Sequence, residues 1–360
     1  MKIAFIGDIA FFGKYDLSTN DELYEYFSDV KKIIDNCDYC VGNLEAPFVN
    51  NRKKRGNKSA YISSPVENAR VLSYLGVKAV SLANNHIFDF GDSGFNDTVD
   101  CLGKLSIDWF GAKNKDLVLN DYGLAFHGYC SYNTNPVGLK SVFNRQGVEP
   151  LNYNNVVKNI EKYSNEGLFN IISVHSGIEH VNLASSDDVL FARKLSKLSD
   201  YIYFGHHPHV LQGVEKCNNS LLAYSLGNFC FDDVYDDRTN QVLVKQSDNN
   251  KSSIILVVTI DNLKITSVEK IPIYQGESKV HINHHLAQLS LEFANSCLKL
   301  ETSDYEDLRS EKIREINKLR NKKRGLSWLL KRISIFTFLR VSERRINSLK
   351  YKIYFSNNLR

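Results

Sequence analysis

His206, His207 and His209 fall within four positions, in the stretch FGHHPHVLQG, although the 360-residue chain has only ten histidines. An imidazole serves as a metal ligand, a proton carrier or a hydrogen-bonding core group, and the last role explains such crowding poorly. Polar residues that could join the cluster recur at the ends of short apolar runs. They are Asp8, then Asn43 and Glu45, then Asn84, Asn85, His86 and Asp89. Further along come His175 and Glu179, and after the histidines Asn228 and Asp232. Carboxylate, amide and imidazole together make the O/N donor set that hard and borderline divalent metals take. In an extended His207-Pro208-His209 the two rings would point to opposite sides, which suits two neighbouring metals better than one. Singly, each residue has an ordinary reading: Asp8 as a turn or cap residue, Asn84 and Asn85 as a turn pair, His86 as a structural histidine. Recurrence at successive strand ends is what points to a site. His127, His281, His284 and His285 lack such company and are read as structural or surface residues.

The elements that must position these groups are visible as apolar runs over 2–8, 39–45, 77–86, 107–112, 124–129, 169–177, 200–207 and 220–229. Helical patterns over 21–36, 66–75, 93–103, 154–165 and 187–199 lie between several of them. Strands alternating with helices of this length predict an α/β fold with buried sheets, and loops at one edge of such a sheet converge on one crevice. Residues 252–274 read instead as a hairpin turning at Asp261 and Asn262, so part of the architecture is antiparallel. The polar stretch 234–251 is expected to be an exposed loop, with Asp232 close enough to the site to matter. Beyond residue 283 the pattern turns helical and then basic.

Apolar content of 43% and charged content of 24% are those of an ordinary globular protein. The net charge of +4 is unevenly placed. Residues 309–360 carry sixteen Lys/Arg against three Glu, so the preceding body is acidic. Seven scattered cysteines, with one C-x-x-C at Cys37 and Cys40, form neither a zinc motif nor a paired framework and are read as reduced thiols. The start MKIAFIGD lacks the pattern of a secretory signal. No uncharged apolar run reaches 18 residues, which argues against a spanning helix. The expected location is cytoplasmic.

The motifs GNLEAP (42–47), SLANNHIFDFGDSG (81–94), VHSGIE (174–179), GHHPHVLQG (205–213) and YSLGNFCFD (224–232) resemble those of the CapA family over about residues 1–275. That family is associated with capsule and poly-γ-glutamate biosynthesis and is related to calcineurin-like metallophosphoesterases. The resemblance implies a four-layer α/β/β/α sandwich, assigned to residues 1–280, and the helical, basic pattern that follows marks 281–360 as an extension. It also implies two divalent metal ions of the Mn, Mg, Zn or Fe type. Carried over, Asp8 and His209 hold the first metal, Glu45 bridges, and Asn85, His175 and His207 face the second. His86 is then the general acid or charge stabiliser. Asn43, Asn84, Asp89, Glu179, His206, Asn228 and Asp232 are substrate-facing or outer residues, with His206 at a variable position. One departure from the superfamily's D-x-H is clear, since Asp8 is followed by Ile9 and Ala10.

These residues leave two functions open. One is a metal-dependent hydrolase or transferase acting on a phosphoester or a γ-glutamyl amide of a surface polymer. The other is a non-catalytic member of a polymer synthesis or export complex, with capsule-synthesis membrane proteins as partners. The tail 324–355 mixes Trp328, Leu329, Leu330, Ile333, Phe336, Phe338 and Leu339 with Lys331, Arg332, Arg340, Arg344 and Arg345. Such a segment fits an anionic membrane surface, with the chain attached peripherally to the inner face, or it folds back on the acidic body. It matches no nucleic-acid module, so nucleic acid is not an expected partner.

Overall fold

The computed structural model describes residues 1–50, 53–54, 60–134, 147–236, 241–322 and 335–359, with only the helical backbone at 322 and 335–340. The strand β1 (Lys2–Ile9) is apolar at nearly every position because both of its faces are covered. Ile3 and Phe5 enter one core, Ala4 and Ile6 another. Such continuous apolar runs mark strands in the middle of a layered fold. Parallel to β1 run β2 (Tyr39–Leu44), β3 (Ala79–Ser81) and β4 (Asp108–Phe110). On its other side lie the antiparallel β14 (Ser252–Asp261), β15 (Lys264–Gln275) and β16 (Val280–Ile282). Only Lys2–Phe5 pair with β14; from Asp8 onward the neighbour is β11 (Asn228–Cys230), running parallel.

The second sheet has the order β5 (Leu117–Leu119), β6 (Leu124–Cys130), β7 (Phe169–His175), β8 (Tyr201–His206), β10 (Ser220–Ala223), β9 (Val214–Cys217). The two sheets bury a shared core of Phe5, Val41, Phe126, Ile171, Phe204 and Leu256, in which the Phe5 and Phe204 rings lie 5.1 Å apart. The outer face of the first sheet is covered by α1 (Leu23–Tyr26), α2 (Ser28–Ile34), α3 (Ala69–Leu75) and α4 (Gly91–Lys104). The outer face of the second is covered by α5 (Tyr153–Asn165) and α6 (Ser186–Leu195). Three separate cores between four layers give the α/β/β/α sandwich that the family resemblance implies.

Two local expectations change. The hairpin turns at Asn262 and Leu263, with φ of 49° and 59°, one residue later than expected. Asparagine tolerates this left-handed backbone better than leucine does. The stretch 234–251 is not simply an exposed loop. It contains β12 (Val234–Tyr235), β13 (Val242–Val244) and α7 (Asp248–Lys251), and it buries Gln246 and Asn250. Polar composition hides burial when the polar groups satisfy one another.

The C-terminal helices are α8 (His285–Cys297), α9 (Thr302–Lys322) and α10 (Ile335–Tyr354). Ala287 and Leu291 of α8 join the inter-sheet core. Tyr305 of α9 donates to the Ala184 carbonyl at 2.9 Å. Tyr351 of α10 donates to Asp187 at 3.0 Å, and Phe355 and Leu359 just beyond it enter the core beneath α6. The end of the tail therefore folds back on the body. Trp328, Leu329, Leu330, Lys331, Arg332 and Ile333 lie outside the described residues. No described helix is long and apolar enough to cross a membrane.

Candidate metal centre

Asp8 stands where β1 changes partners, in a row with Asn43 of β2 and Asn228 of β11. Its amide donates to the Gly227 carbonyl at 3.0 Å. A Cβ on Gly7 would run into that same carbonyl, so glycine is what lets β11 approach this closely. Asn43 Nδ2 donates to Asp8 Oδ1 at 2.8 Å, and Asn84 Nδ2 donates to Asn43 Oδ1 at 3.2 Å. A chain of amides thus orients the carboxylate.

The second sheet supplies the imidazoles. His175 ends β7 and His206 ends β8, directly paired with each other. His207 and His209 follow with φ of 95° and 56°. Such backbone is uncommon outside glycine and tends to mark functional loops. The segment is therefore bent rather than extended, yet its two rings still go to different donor sets. Glu45, His175 and His207 form one set; Asp8, Glu45 and His209 form the other. Within each, the donor atoms lie within 4.8 Å of one another, and all five residues are buried. Glu45 belongs to both, with Oε1 at 3.8 Å from His175 Nε2 and 3.6 Å from His209 Nε2.

Asn85 joins the first set, its Oδ1 at 3.0 Å from His175 Nε2 while its Nδ2 donates to the Thr134 carbonyl at 3.2 Å. His86 stands beside the pocket. Its Nδ1 lies 2.6 Å from Asp89 Oδ2, and its Nε2 is 4.0 Å from Glu45 Oε1. A carboxylate on one ring nitrogen fixes the ring and directs the other nitrogen inward.

The electrostatics favour cation binding. Burial opposes ionisation of Asp8, but hydrogen bonds and charge from His206 and His209 hold it well below the usual carboxylate range. Burial would lower His209 too, yet Glu45 and Asp8 push it up to about 10. Two buried carboxylates thus face His209 and favour positive charge there. Burial lowers His207 to about 3 and holds His175 well below its ordinary value, so both offer neutral nitrogens. His207 Nδ1 is buried with no hydrogen-bond partner among the described residues, a cost of about 1–3 kcal/mol unless a ligand meets it. The residues fit divalent metal ions, with no thiolate in either set.

The remaining expected residues fall into place unevenly. His206, read as an outer or surface residue, is only 1% exposed, with Nδ1 at 3.1 Å from Asp8 Oδ1. An imidazole thus reaches Asp8 from β8. On the other side Ala10 packs in an apolar cluster with Ala46, Ile62, Phe231 and Val234. Asn228 Oδ1 lies 2.9 Å from His209 Nδ1 and orients that ring. Asp232 is held away from the donor sets, its Oδ2 accepting the Lys14 amide at 2.7 Å. Glu179 sits at the rim, paired with Arg320 of α9 at 2.8 Å. Burial opposes its ionisation, but the Arg320 guanidinium favours the charged form.

Sequence reasoning missed Gln246, Asn250, Thr134 and Arg320. Asn250 Nδ2 donates to the His209 carbonyl at 3.0 Å, and Gln246 Oε1 accepts from Asn228 at 3.2 Å. The spacing Ser247-x-x-Asn250 was a readable cap signal, since Asn250 Oδ1 accepts from the Ser247 backbone amide at 3.2 Å. Nothing local marks the other three.

Among solved structures, a 5'-nucleotidase from Candida albicans SC5314 aligns at 13% identity and TM-score 0.40, over 89% of this chain and 57% of that one. The PGA biosynthesis protein CapA of Bacillus subtilis (strain 168) is 27% identical over 260 residues, covering 68% of this chain and 67% of the relative. The capsule biosynthesis protein CapA of Bacillus anthracis is 26% identical over 270 residues, 71% of this chain and 65% of the relative. This chain thus spans about two thirds of the length of each. Residues 2–233, which carry every candidate ligand, match the family described as bacterial capsule synthesis protein PGA_cap, and the chain belongs to that family.

Proposed function

We propose that the pocket is a two-metal hydrolytic centre acting on a capsule-type polymer or its precursor, at a phosphoester or a γ-glutamyl amide. The observation that carries this reading is the single Glu45 carboxylate shared by two buried donor triads. Asp8 and His209 would hold one ion, and Asn85, His175 and His207 the other, with Glu45 between them. When bound, such a pair supplies Lewis-acid polarisation and a low-pKa water. The protein's own groups do the rest. Asn43, Asn84 and Asn228 fix the ligands, and the buried β1/β8 interface excludes bulk water behind them. His86, aligned by Asp89 at 2.6 Å, carries a proton at Nε2 for the departing group.

A second reading, a metal-holding component that does no chemistry, draws on the apolar surroundings of Ala10. One experiment separates them. Purified protein is assayed for bound metal and screened on phosphoesters and γ-glutamyl oligomers with added Mn²⁺, Mg²⁺ or Zn²⁺. The hydrolytic reading expects metal-dependent turnover that a His207→Ala, His209→Ala double variant loses together with the metal. Metal at the wild-type level in the folded double variant would overturn the assignment. Bound metal with no turnover on any of these substrates would favour the second reading.

A further inference from the structure

Among the described residues, the helix α10 contacts the body through one side. Tyr351 bonds Asp187, the Tyr354 ring lies 6.0 Å from Tyr132, and Lys350 Nζ stands 5.7 Å from the same ring. Phe355, fully buried, pins the end of the helix. These contacts fix its rotation. Leu349 precedes Tyr351 by two residues, about 200° around the helix, and so faces away from the body. Ile346, Leu349 and Ile353, at spacings of three and four, form one outward line and are 53%, 59% and 50% exposed. Arg345 and Lys352 are exposed along one edge of that line. Glu343 is the only acidic residue of α10 against five Lys/Arg.

We propose that this outer face of α10 docks on an anionic lipid surface, with Ile346, Leu349 and Ile353 entering the headgroup boundary and Arg345 and Lys352 meeting lipid phosphates. Charge selects this occupant. A bilayer interface takes an apolar stripe bordered by cations, and each cation near an anionic surface strengthens binding. The contrast lies within the same chain. On α8, Leu286, Leu289 and Phe293 are also exposed in one line, but Gln288 and Glu292 accompany them and the helix has no Lys or Arg. That face has nothing to offer an anionic headgroup.

Docking through α10 would also set the site's distance from the membrane. The helix packs on Tyr132, and Thr134, two residues on, accepts the hydrogen bond of Asn85. The inference stands apart from the catalytic reading, since lipid binding needs neither metal nor turnover.

The test is co-sedimentation of the full chain with phosphatidylcholine vesicles, with and without phosphatidylglycerol, at low and high salt. The wild type is expected to bind only the phosphatidylglycerol vesicles, and salt is expected to weaken that binding. An Ile346→Asn, Leu349→Gln, Ile353→Asn variant should bind at least tenfold more weakly, and Arg345→Glu, Lys352→Glu similarly. A Leu286→Gln, Leu289→Gln, Phe293→Gln variant should bind as the wild type does. All these positions face solvent, and unchanged circular dichroism and metal content confirm folding. The proposal is overturned if the wild type ignores anionic vesicles, if the α10 variants bind normally, or if the α8 variant loses binding. Ultracentrifugation showing a wild-type dimer that the α10 apolar variant dissociates would assign the face to a second copy instead.

Discussion

Replacing Glu45 by glutamine changes one atom type at the point where both donor sets meet. Its Oε1 lies 3.6 Å from His209 Nε2 and 3.8 Å from His175 Nε2. At such a separation, with an effective dielectric of about 20, two unit charges interact by about 4–5 kcal/mol. The term doubles for a dication. Part of it returns because the amide keeps one oxygen donor and a second buried carboxylate no longer has to be desolvated. A net loss of about 4 kcal/mol is about a thousandfold in affinity. In the metal-free protein the lost pairing with His209 and the relief of burying a carboxylate oppose each other, so each protein's own metal-free unfolding temperature is its reference. Thermal unfolding with and without metal reads the difference. At a metal concentration a thousandfold above the wild-type Kd, binding stabilises by about 4 kcal/mol, or about 8 °C at ~2 °C per kcal/mol. The variant at the same concentration should gain about 0.4 kcal/mol, or about 1 °C. A Glu45→Gln protein with the full metal-induced rise would refute the shared-carboxylate geometry.

His86→Ala should keep the metal, because His86 belongs to neither donor set, and lose turnover by roughly 10²–10⁴-fold; metal analysis alongside kcat checks both halves. Asp89→Asn should lower kcat by less than that and leave metal content alone, since the group it orients is still present. Gly7→Ala places a methyl group against the Gly227 carbonyl, so it should destabilise by several kcal/mol in urea unfolding and loosen the metal. Wild-type stability in Gly7→Ala would mean that β1 and β11 are free to separate there.

The α/β alternation and the polar groups at strand ends were legible because their signals are local, whereas the four-layer arrangement and the ligand roles came from the family resemblance. β7 and β8 are apolar runs that end on His175 and His206, β1 carries Asp8 one residue before its end, and a strand end fixes where its next side chain points. The bend at His207 and His209 was not legible, because left-handed backbone at a histidine is imposed by surrounding structure rather than by residue type. The burial of His206 was not legible for a related reason. Its burial against Asp8 depends on how close β1 and β8 come across the inter-sheet core, which neither strand encodes alone. The stretch 234–251 hid its role because Gln246 and Asn250 are polar residues buried by pairing with Asn228 and His209. Arg320 reaches Glu179 across 141 positions, and no spacing announces such a contact.

The proposed function rests on one carboxylate, Glu45, shared by two metal positions. Diffraction from crystals grown with Mn²⁺, measured at a wavelength where manganese scatters anomalously, locates the ions directly. Two anomalous peaks are expected flanking Glu45, one beside Asp8 and His209 and the other beside Asn85, His175 and His207. A pocket with no peak, or with metal bound away from Glu45, would contradict that proposal.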